Sequence, residues 1–364
     1  MTIVEELERA GLTGRGGAAF STAIKVRAAH DNDADLVVNA CDGEVGARKD
    51  AWVVEHHLAE LVEGARLVTS GRRDRVTYAA HRGSRTADLL TRAGLEVLDV
   101  PARYVSSEET AILSLLHGGL AKPMTKRLPF VYGGRDSLGK RIAPTVVLNA
   151  ETVWRVSQVR RNGPDWFRRF GTDTEPGPRL VSVGGAVAHP GIFEVGSGVP
   201  IRDLLDAAGG LEPRVPALLV GGLGGVLLTT DEAATTAWSG PGMAAYGGSM
   251  GAGVIEALDP TRCPLDVVTD LVTYGAGESA GQCGPCMFGL PAVAESWAEL
   301  ARDPNQQTLD RLQDRLGVIP GRGACHHPDG VTRFVGSALR VLMPHIHEHV
   351  AGPCPLGRSR HAVH

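Results

Sequence analysis

The chain has 364 residues, 43% hydrophobic and 21% charged, which is enough apolar sequence for a substantial core and a length that favours two or three domains. A formal net charge of -4, with no sustained Lys/Arg run, excludes a general phosphate-backbone groove, so no nucleic-acid partner is expected. Met1 to Ala10 is charged and amphipathic, and no segment offers about 18 consecutive apolar residues, so no transmembrane segment is expected and the cytoplasm is the default compartment.

Six cysteines are too few for a disulfide scaffold, and clustered ones in a reducing compartment point to metal or redox chemistry. Cys283 and Cys286 form a C-x-x-C pair in Glu278-Ser279-Ala280-Gly281-Gln282-Cys283-Gly284-Pro285-Cys286, and Cys325 precedes His326 and His327. A third sulfur at position 280 would complete the spacing of an iron-sulfur cluster, but Ala280 stands there and cannot ligate iron. Cys41, Cys263 and Cys354 stand apart and read as inert thiols.

Taken in order, a short helix over Thr2 to Ala10 is followed by Gly11-Leu12-Thr13-Gly14-Arg15-Gly16-Gly17-Ala18-Ala19-Phe20 and a helix from Ser21 through Lys25. Glycines before a helix let backbone N–H groups approach an anion, and Arg15 and Lys25 add full charges, so this is a candidate phosphate cradle. It lacks the preceding strand of a dinucleotide fingerprint and the Gly-Lys-Ser/Thr of a P-loop, and a tight structural turn is its simpler reading. Asp35 to Ala40 reads as a strand running into the polar loop Cys41-Asp42-Gly43-Glu44-Val45-Gly46, Asp50 to Thr69 as a helix, Arg75 to Ala80 as a strand, Ser84 to Ala93 as a helix and Leu95 to Val100 as a strand. This alternation predicts an α/β domain with a largely parallel sheet.

Tyr104 to Leu113 starts like a capped helix, with Glu108 and Glu109 suited to its first turn, and Pro144 to Thr152 is a strand entering a polar turn before a helix over Val153 to Arg161. Asp173 to Arg179 reads as a linker. Leu180 to Val187, Gly191 to Val195, Ala217 to Val220 and Gly225 to Thr229 are strand-like, with a helix over Ile201 to Ala208, which indicates a small β-rich module. From Leu265 onward, apolar residues recur at helical spacing through His347, as in a helical bundle, and the cysteine stretch opens one of its helices. The expected domains are 1-172, 180-235 and 260-350.

Gly14-Arg15-Gly16-Gly17-Ala18-Ala19-Phe20 with Lys25, Asn39-Ala40-Cys41-Asp42-Gly43-Glu44, Glu108-Glu109-Thr110-Ala111, Pro144-Thr145 with Asn149 and Glu151-Thr152, and Glu278-Ser279 through Cys286 with Cys325 occur here in one order over nearly the whole chain. In that order they resemble the NADH-binding flavoprotein subunit of respiratory complex I, whose relatives include diaphorase subunits of NAD-linked hydrogenases and formate dehydrogenases. The resemblance implies an α/β domain for FMN and NADH, a β-grasp (SLBB-like) soluble-ligand-binding module and a helical bundle carrying a four-iron four-sulfur cluster.

It further implies that Gly14, Gly16, Gly17 and Lys25 hold the flavin phosphate, that Asn39 and Asp42 approach the flavin's polar parts, and that Glu44 and Glu109 help bind NADH, with Arg15, Glu108 and Asn149 as further candidate cofactor-binding residues in the matched motifs. Phe20 would flank the nicotinamide or adenine, and Lys126 falls near the family's second lysine in the NADH pocket. Cys283, Cys286 and Cys325 are the matched cluster ligands, and three outcomes stand open: a four-iron cluster with water or another side chain on the fourth iron, a three-iron cluster on three thiolates, or no cluster.

The departures are Cys41 for Asp, Ser107 for Gly, Leu148 for the first of two Asn, Val26 for an aromatic residue, and Ala280 for the first cluster cysteine. Leu148 is expected to remove hydrogen-bonding functions from the ligand site, and His326, His327 and Cys354 are candidate replacement ligands. The implied function is an NADH dehydrogenase that takes hydride onto FMN and passes electrons through the cluster to a ferredoxin-like or other electron-transfer partner, held by partners at the inner face of the membrane. Two other readings are a degenerate, non-catalytic assembly subunit, motivated by the substituted positions, and a dithiol redox protein using Cys283-Gly284-Pro285-Cys286.

Overall fold

Thr2 opens the first helix with a reciprocal capping box: its hydroxyl accepts from the Glu5 N–H, and the Glu5 carboxylate accepts from the Thr2 N–H at 2.8 Å. Ile3, Val4, Leu7 and Ala10 bury one face of this helix, α1 (Ile3–Ala10), which ends at Gly11 with φ +67°. The computed structural model describes residues 1–125, 128–136, 139–352, 354 and 356. It divides into two compact units, Met1–Ser182 with Ile192–Val199, and Val183–Gly191 with Pro200–His364.

In the first unit, α1 is followed by α2 (Thr22–Asp31), β1 (Asp35–Asn39), α3 (Lys49–His56), α4 (Leu58–Val68), β2 (Val76–His81), α5 (Arg85–Arg92), β3 (Val97–Val100) and α6 (Glu109–Leu116). A small hairpin, β4 (Gly134–Arg135) with β5 (Arg141–Ile142), precedes β6 (Thr145–Asn149), α7 (Ala150–Asn162) and α8 (Pro164–Phe167). The strand order β3-β2-β1-β6 is parallel throughout, as βαβ alternation requires. Both faces are apolar and covered: Leu36, Val38, Val146 and Leu148 join one core cluster, while Val37, Ala79 and Val147 join another.

The single helix expected over Asp50 to Thr69 is two, because His57 leaves helical geometry at φ -132° and ψ 29°. Its ring stacks on Trp154 at 4.3 Å and Nδ1 lies 2.7 Å from the Glu60 carboxylate, tertiary contacts that periodicity does not reveal. β7 (Pro178–Gly185) starts in the first unit and ends in the second, and β8 (Gly191–Gly196) follows it.

The second unit holds α9 (Ile201–Ala207), β9 (Leu218–Val220), β10 (Val226–Leu228), α10 (Thr230–Thr235), α11 (Gly240–Ala244) and β11 (Val254–Ala257). β9 pairs antiparallel with both β10 and β11. Gly185, at φ +72°, ends β7 so close to β11 that a Cβ would stand 2.0 Å from the Ala257 carbonyl oxygen. β11 and the two short helices before it lie in a Gly-rich stretch without periodicity and were not expected.

Four longer helices follow, α12 (Pro264–Gly277), α13 (Leu290–Arg302), α14 (Gln306–Val318) and α15 (His327–Ala351). Trp297 of α13 donates to the Leu265 carbonyl at 3.1 Å, and His327 Nε2 lies 2.8 Å from the Gly275 carbonyl, tying the start of α15 to the end of α12. Among the described residues no helix is long and apolar enough to cross a membrane.

Candidate functional site

The parallel strands β1 and β6 end side by side, with Asn39 and Asn149 as register partners. The chain leaves β1 for β2 on one side and returns to β6 on the other, so the crevice beyond these two ends is a topological switch point. The glycine loop closes over it. Thr13 and Ser21 bridge its base, the Gly14 N–H donates to the Phe20 carbonyl at 2.8 Å, and Gly17 takes φ +109°, a backbone that other residues adopt only with strain. A Cβ on Gly16 would sit 3.7 Å from the Asn149 amide carbon, which places the loop over the end of β6. Lys25, on the second turn of α2, donates to the Val147 carbonyl at 3.2 Å. Gly14, Gly16, Gly17, Lys25, Asn39 and Asn149 therefore share one locality, and Phe20 is 50% exposed on the same loop.

Two further loops border it. The Asn39 amide donates to the Ser107 carbonyl at 2.9 Å while its oxygen accepts from the Cys41 N–H at 3.1 Å. Asp42, at φ +47°, accepts from the Asp50 and Ala51 N–H groups at 3.1 and 2.7 Å, capping α3. Burial and the neighbouring Asp50 push its carboxyl up to about 7. Glu44 is held by the Tyr104 hydroxyl at 2.7 Å and the Val45 N–H at 2.9 Å. Glu108 accepts from the Thr110 and Ala111 N–H groups at 2.8 and 3.2 Å as the cap of α6, and burial pushes its carboxyl up. Glu109 begins that helix, half-buried. The loops interlock so closely that a Cβ on Gly43 would lie 1.9 Å from Ser107 Oγ.

Two expectations change. The Arg15 guanidinium does not extend toward an anion: it is 3% exposed, donates to Thr13 Oγ1 at 3.3 Å and the Pro176 carbonyl at 3.1 Å, and lies over the Phe167 ring. Arg15 therefore anchors the loop from below. Leu148, at 4% exposure, packs in the core beside its partner Val38, so the hydrogen-bonding loss expected there falls on no open polar pocket. Strand alternation turns that position into the core cluster that holds Leu36, Val38 and Val146. Cys41 and Val26 are likewise buried, and burial pushes the Cys41 thiol up. Lys126 lies outside the described residues.

Beneath the crevice lies a charge network that sequence reading missed. Lys49 is 1% exposed, with Nζ 2.7 Å from Asp50 and 3.4 Å from Glu151, and Glu151 lies 3.5 Å from Arg155, which also pairs with Glu194. Asp50 accepts from the Asn149 amide at 2.8 Å and the Glu151 N–H at 2.7 Å, so the network holds the end of β6 in place. Burial works against the Lys49 charge, but Asp50, Glu151 and Asp42 raise its pKa. The available signal was the Lys49-Asp50 pair beside Trp52 and Val53 in an apolar helix.

In the second unit the sulfur loop leaves α12 and enters α13 through a π-helical turn, Pro285–Gly289. Such turns gather at functional sites. Against desolvation, hydrogen bonds from the Ala324 and Cys286 N–H groups and the Cys286 thiol hold the Cys283 thiol below its ordinary value. The Cys286 thiol is 3% exposed and pushed up by burial, and Cys325 is half-buried beside Ala324. Ala280 is 6% exposed. None of the candidate replacements is placed as a fourth ligand. His326 is fully exposed with Nδ1 3.4 Å from Asp329, His327 engages Gly275, and Cys354 lies with Cys263.

Known proteins match the chain in three stretches. The chain matches the Nuo51 FMN-binding domain over residues 7–158, the SLBB domain over 180–225 and the NADH-ubiquinone oxidoreductase-F iron-sulfur binding region over 266–349. It is 31% identical over 388 residues to the F subunit of NADH-quinone oxidoreductase from Streptomyces coelicolor, covering 98% of this chain and 85% of that one. Against the F subunit from Escherichia coli the identity is 29% over 374 residues, covering 93% and 82%. Among solved structures, a chain of an NAD+-reducing NiFe-hydrogenase in the H2-reduced state superposes with a TM-score of 0.83 at 27% identity, covering 99% of this chain and 63% of that one. The chain thus spans less than two thirds of that hydrogenase chain. An FMN-binding α/β domain, an SLBB domain and an iron-sulfur-binding helical region stand here in one chain, and the chain belongs to the family of the NADH-quinone oxidoreductase F subunits, whose activity is NADH oxidation.

Proposed function

We infer that NADH is oxidised in the crevice at the ends of β1 and β6 and that the electrons leave through the sulfur loops of the second unit to a protein partner. The observation that supports this most is the convergence of the glycine loop, Lys25, Asn39 and Asn149 at the switch point. The donor set fits FMN: the backbone N–H groups of Gly16 and Gly17, the N-terminus of α2 and the Lys25 ammonium suit a phosphate, and paired asparagine amides suit the flavin's polar edges. Glu44 and Glu109 stand beside the same loops to orient the nucleotide's hydroxyls. Cys283, Cys286 and Cys325 supply thiolates, and the N–H groups directed at Cys283 suit a sulfur carrying negative charge. When bound, FMN supplies exchange between two-electron and one-electron chemistry, and the cluster supplies a one-electron path.

The chain's own work is positional. The network of Lys49, Asp50 and Glu151 fixes the strand end, the cap formed by Asp42 fixes the loop after β1, and Tyr104 holds Glu44. The partner is an electron-transfer subunit, and any attachment to a membrane face runs through such partners. In the test, anaerobically purified protein is examined for flavin absorbance, iron and NADH-dependent reduction of ferricyanide. Yellow, iron-containing, active protein is expected; colourless protein that stays inert to NADH after flavin reconstitution refutes the proposal.

One observation favours the dithiol alternative: Cys283 is the more acidic thiol and Cys286 the buried one. The pair lies between two helices of a helical region and not in a βαβ unit. Insulin reduction by iron-free protein, abolished in Cys283→Ser, would establish that alternative.

A further inference from the structure

Away from the sulfur loops, the second unit brings together two cysteines that sequence reading set aside as inert. Cys263 caps the start of α12 and is 1% exposed. His345 and His349 lie one turn apart on the last part of α15, where residues four apart share a face, and Cys354 follows the helix end. The potential ligand atoms of Cys263, His345, His349 and Cys354 all lie within 4.8 Å of one another. Cys263 Sγ is 3.6 Å from Nε2 of His345 and 3.6 Å from Nε2 of His349, the two Nε2 atoms are 3.1 Å apart, and Cys354 Sγ is 3.7 Å from His345 Nε2.

These separations can be compared with the edges of a coordination tetrahedron. With Zn–S of about 2.3 Å and Zn–N of about 2.05 Å, a tetrahedral centre has S···N edges of about 3.6 Å and an N···N edge of about 3.3 Å. The observed edges are 3.6, 3.6, 3.7 and 3.1 Å. Behind His345, Nδ1 lies 3.1 Å from the Glu348 carboxylate, the outer partner that fixes a ligating imidazole with its other nitrogen free to bind.

We propose that Cys263, His345, His349 and Cys354 bind a single zinc-class divalent ion as a closed structural site. Two thiolates and two imidazoles in a tetrahedron suit zinc, and four protein ligands leave no open position for catalysis. The compact spacing belongs to one ion; a polynuclear cluster would hold its ligands farther apart. Cys263 heads α12 and the histidines end α15, while the opposite ends of these helices meet through His327 and Gly275. The ion fastens the pair at one end, and the helices lead at the other toward Cys283, Cys286 and Cys325. The site stands independently of the flavin and cluster assignments.

The test is elemental analysis of the full chain purified without chelator, followed by Co(II) exchange. About one zinc per chain is expected in addition to iron, and the Co(II) form should show intense tetrahedral d–d bands with a thiolate charge-transfer band. Zinc should persist in the triple variant Cys283→Ser/Cys286→Ser/Cys325→Ser, which loses iron. It should be lost from Cys263→Ser/Cys354→Ser. Cys354→Ser alone, altered beyond the helix end, should lose the Co(II) charge-transfer intensity in part with its circular dichroism unchanged. The proposal is overturned if wild-type protein neither contains nor takes up zinc, the outcome of a merely hydrogen-bonded cluster. Zinc that survives the double cysteine variant, or disappears with the triple one, also overturns it.

Discussion

Gly43→Ala tests how the crevice is closed. Gly43 does not have positive φ, so alanine meets no backbone strain, and the perturbation is contact alone. The added Cβ would lie 1.9 Å from Ser107 Oγ, 2.6 Å from Ser107 Cβ and 3.4 Å from the Tyr104 carbonyl oxygen. Ser107 cannot simply turn away, because its hydroxyl donates to Tyr104 at 2.8 Å and its carbonyl accepts from Asn39 at 2.9 Å. Relief has to move the loop that carries Ser107, and with it Asn39 at the crevice. Overpacking of this kind costs about 1–3 kcal/mol. Ser107→Gly removes both clashing atoms and one hydrogen bond, for about 1 kcal/mol.

The double variant should therefore be more stable than the sum of the singles predicts, with a coupling of about 1–2 kcal/mol, within the range of residues in contact. The assay is urea denaturation of the four proteins of the cycle, with FMN titration on each. Gly43→Ala should weaken FMN binding about tenfold, equivalent to about 1.4 kcal/mol, and Ser107→Gly in the same chain should restore it. Strict additivity, or a Gly43→Ala protein indistinguishable from wild type, refutes the interlocked-loop account.

Four other outcomes are expected. Lys25→Met removes the ammonium at the crevice and should raise the Kd for FMN by roughly 10- to 100-fold, as loss of a charged hydrogen bond worth about 1.5–3 kcal/mol implies, with apo-protein Tm little changed; equal flavin affinity contradicts the phosphate role. Lys49→Met leaves Asp50 buried without its cation and Glu151 with Arg155 alone, and should cost about 3–5 kcal/mol in urea denaturation, whereas a loss below about 1 kcal/mol would show the network to be dispensable. Ala280→Cys offers a fourth thiolate, so iron content and the reduced-state paramagnetic signal should increase; unchanged iron argues against a cluster at this loop.

The fourth concerns pH. Asp42 has a folded value of about 7, above the ordinary carboxyl range, so the native state holds its proton more tightly than the unfolded chain. The stability this provides is full below about pH 4 and is lost as pH rises through about 7. Asp42→Asn should flatten the fall in Tm between about pH 5 and about pH 7.5, and a steeper fall in the variant reverses the assignment.

The parallel α/β domain was legible because alternating apolar runs and amphipathic helices carry two distinct periods, and the ordered motifs marked the glycine loop, Asn39, Asn149 and the sulfur loop. Local chemistry also predicted that Glu108 and Glu109 serve the start of a helix, since an acid there meets unpaired N–H groups whatever lies around it. Arg15 misled because charge alone suggested an anion, while the fold turned the side chain under its own loop. Leu148 misled because a motif position does not say which face of a strand it occupies.

The sequence by itself determined the order of domains, the family and the loss of one sulfur at position 280. Tertiary structure alone decided that Lys49, Asp50 and Glu151 support the strand end, and that Cys263, 82 residues from His345, meets it beside His349 and Cys354. The physical reason is distance along the chain: propensity and capping act within a few residues, but ligand sets and buried ion pairs form between segments that only packing brings together.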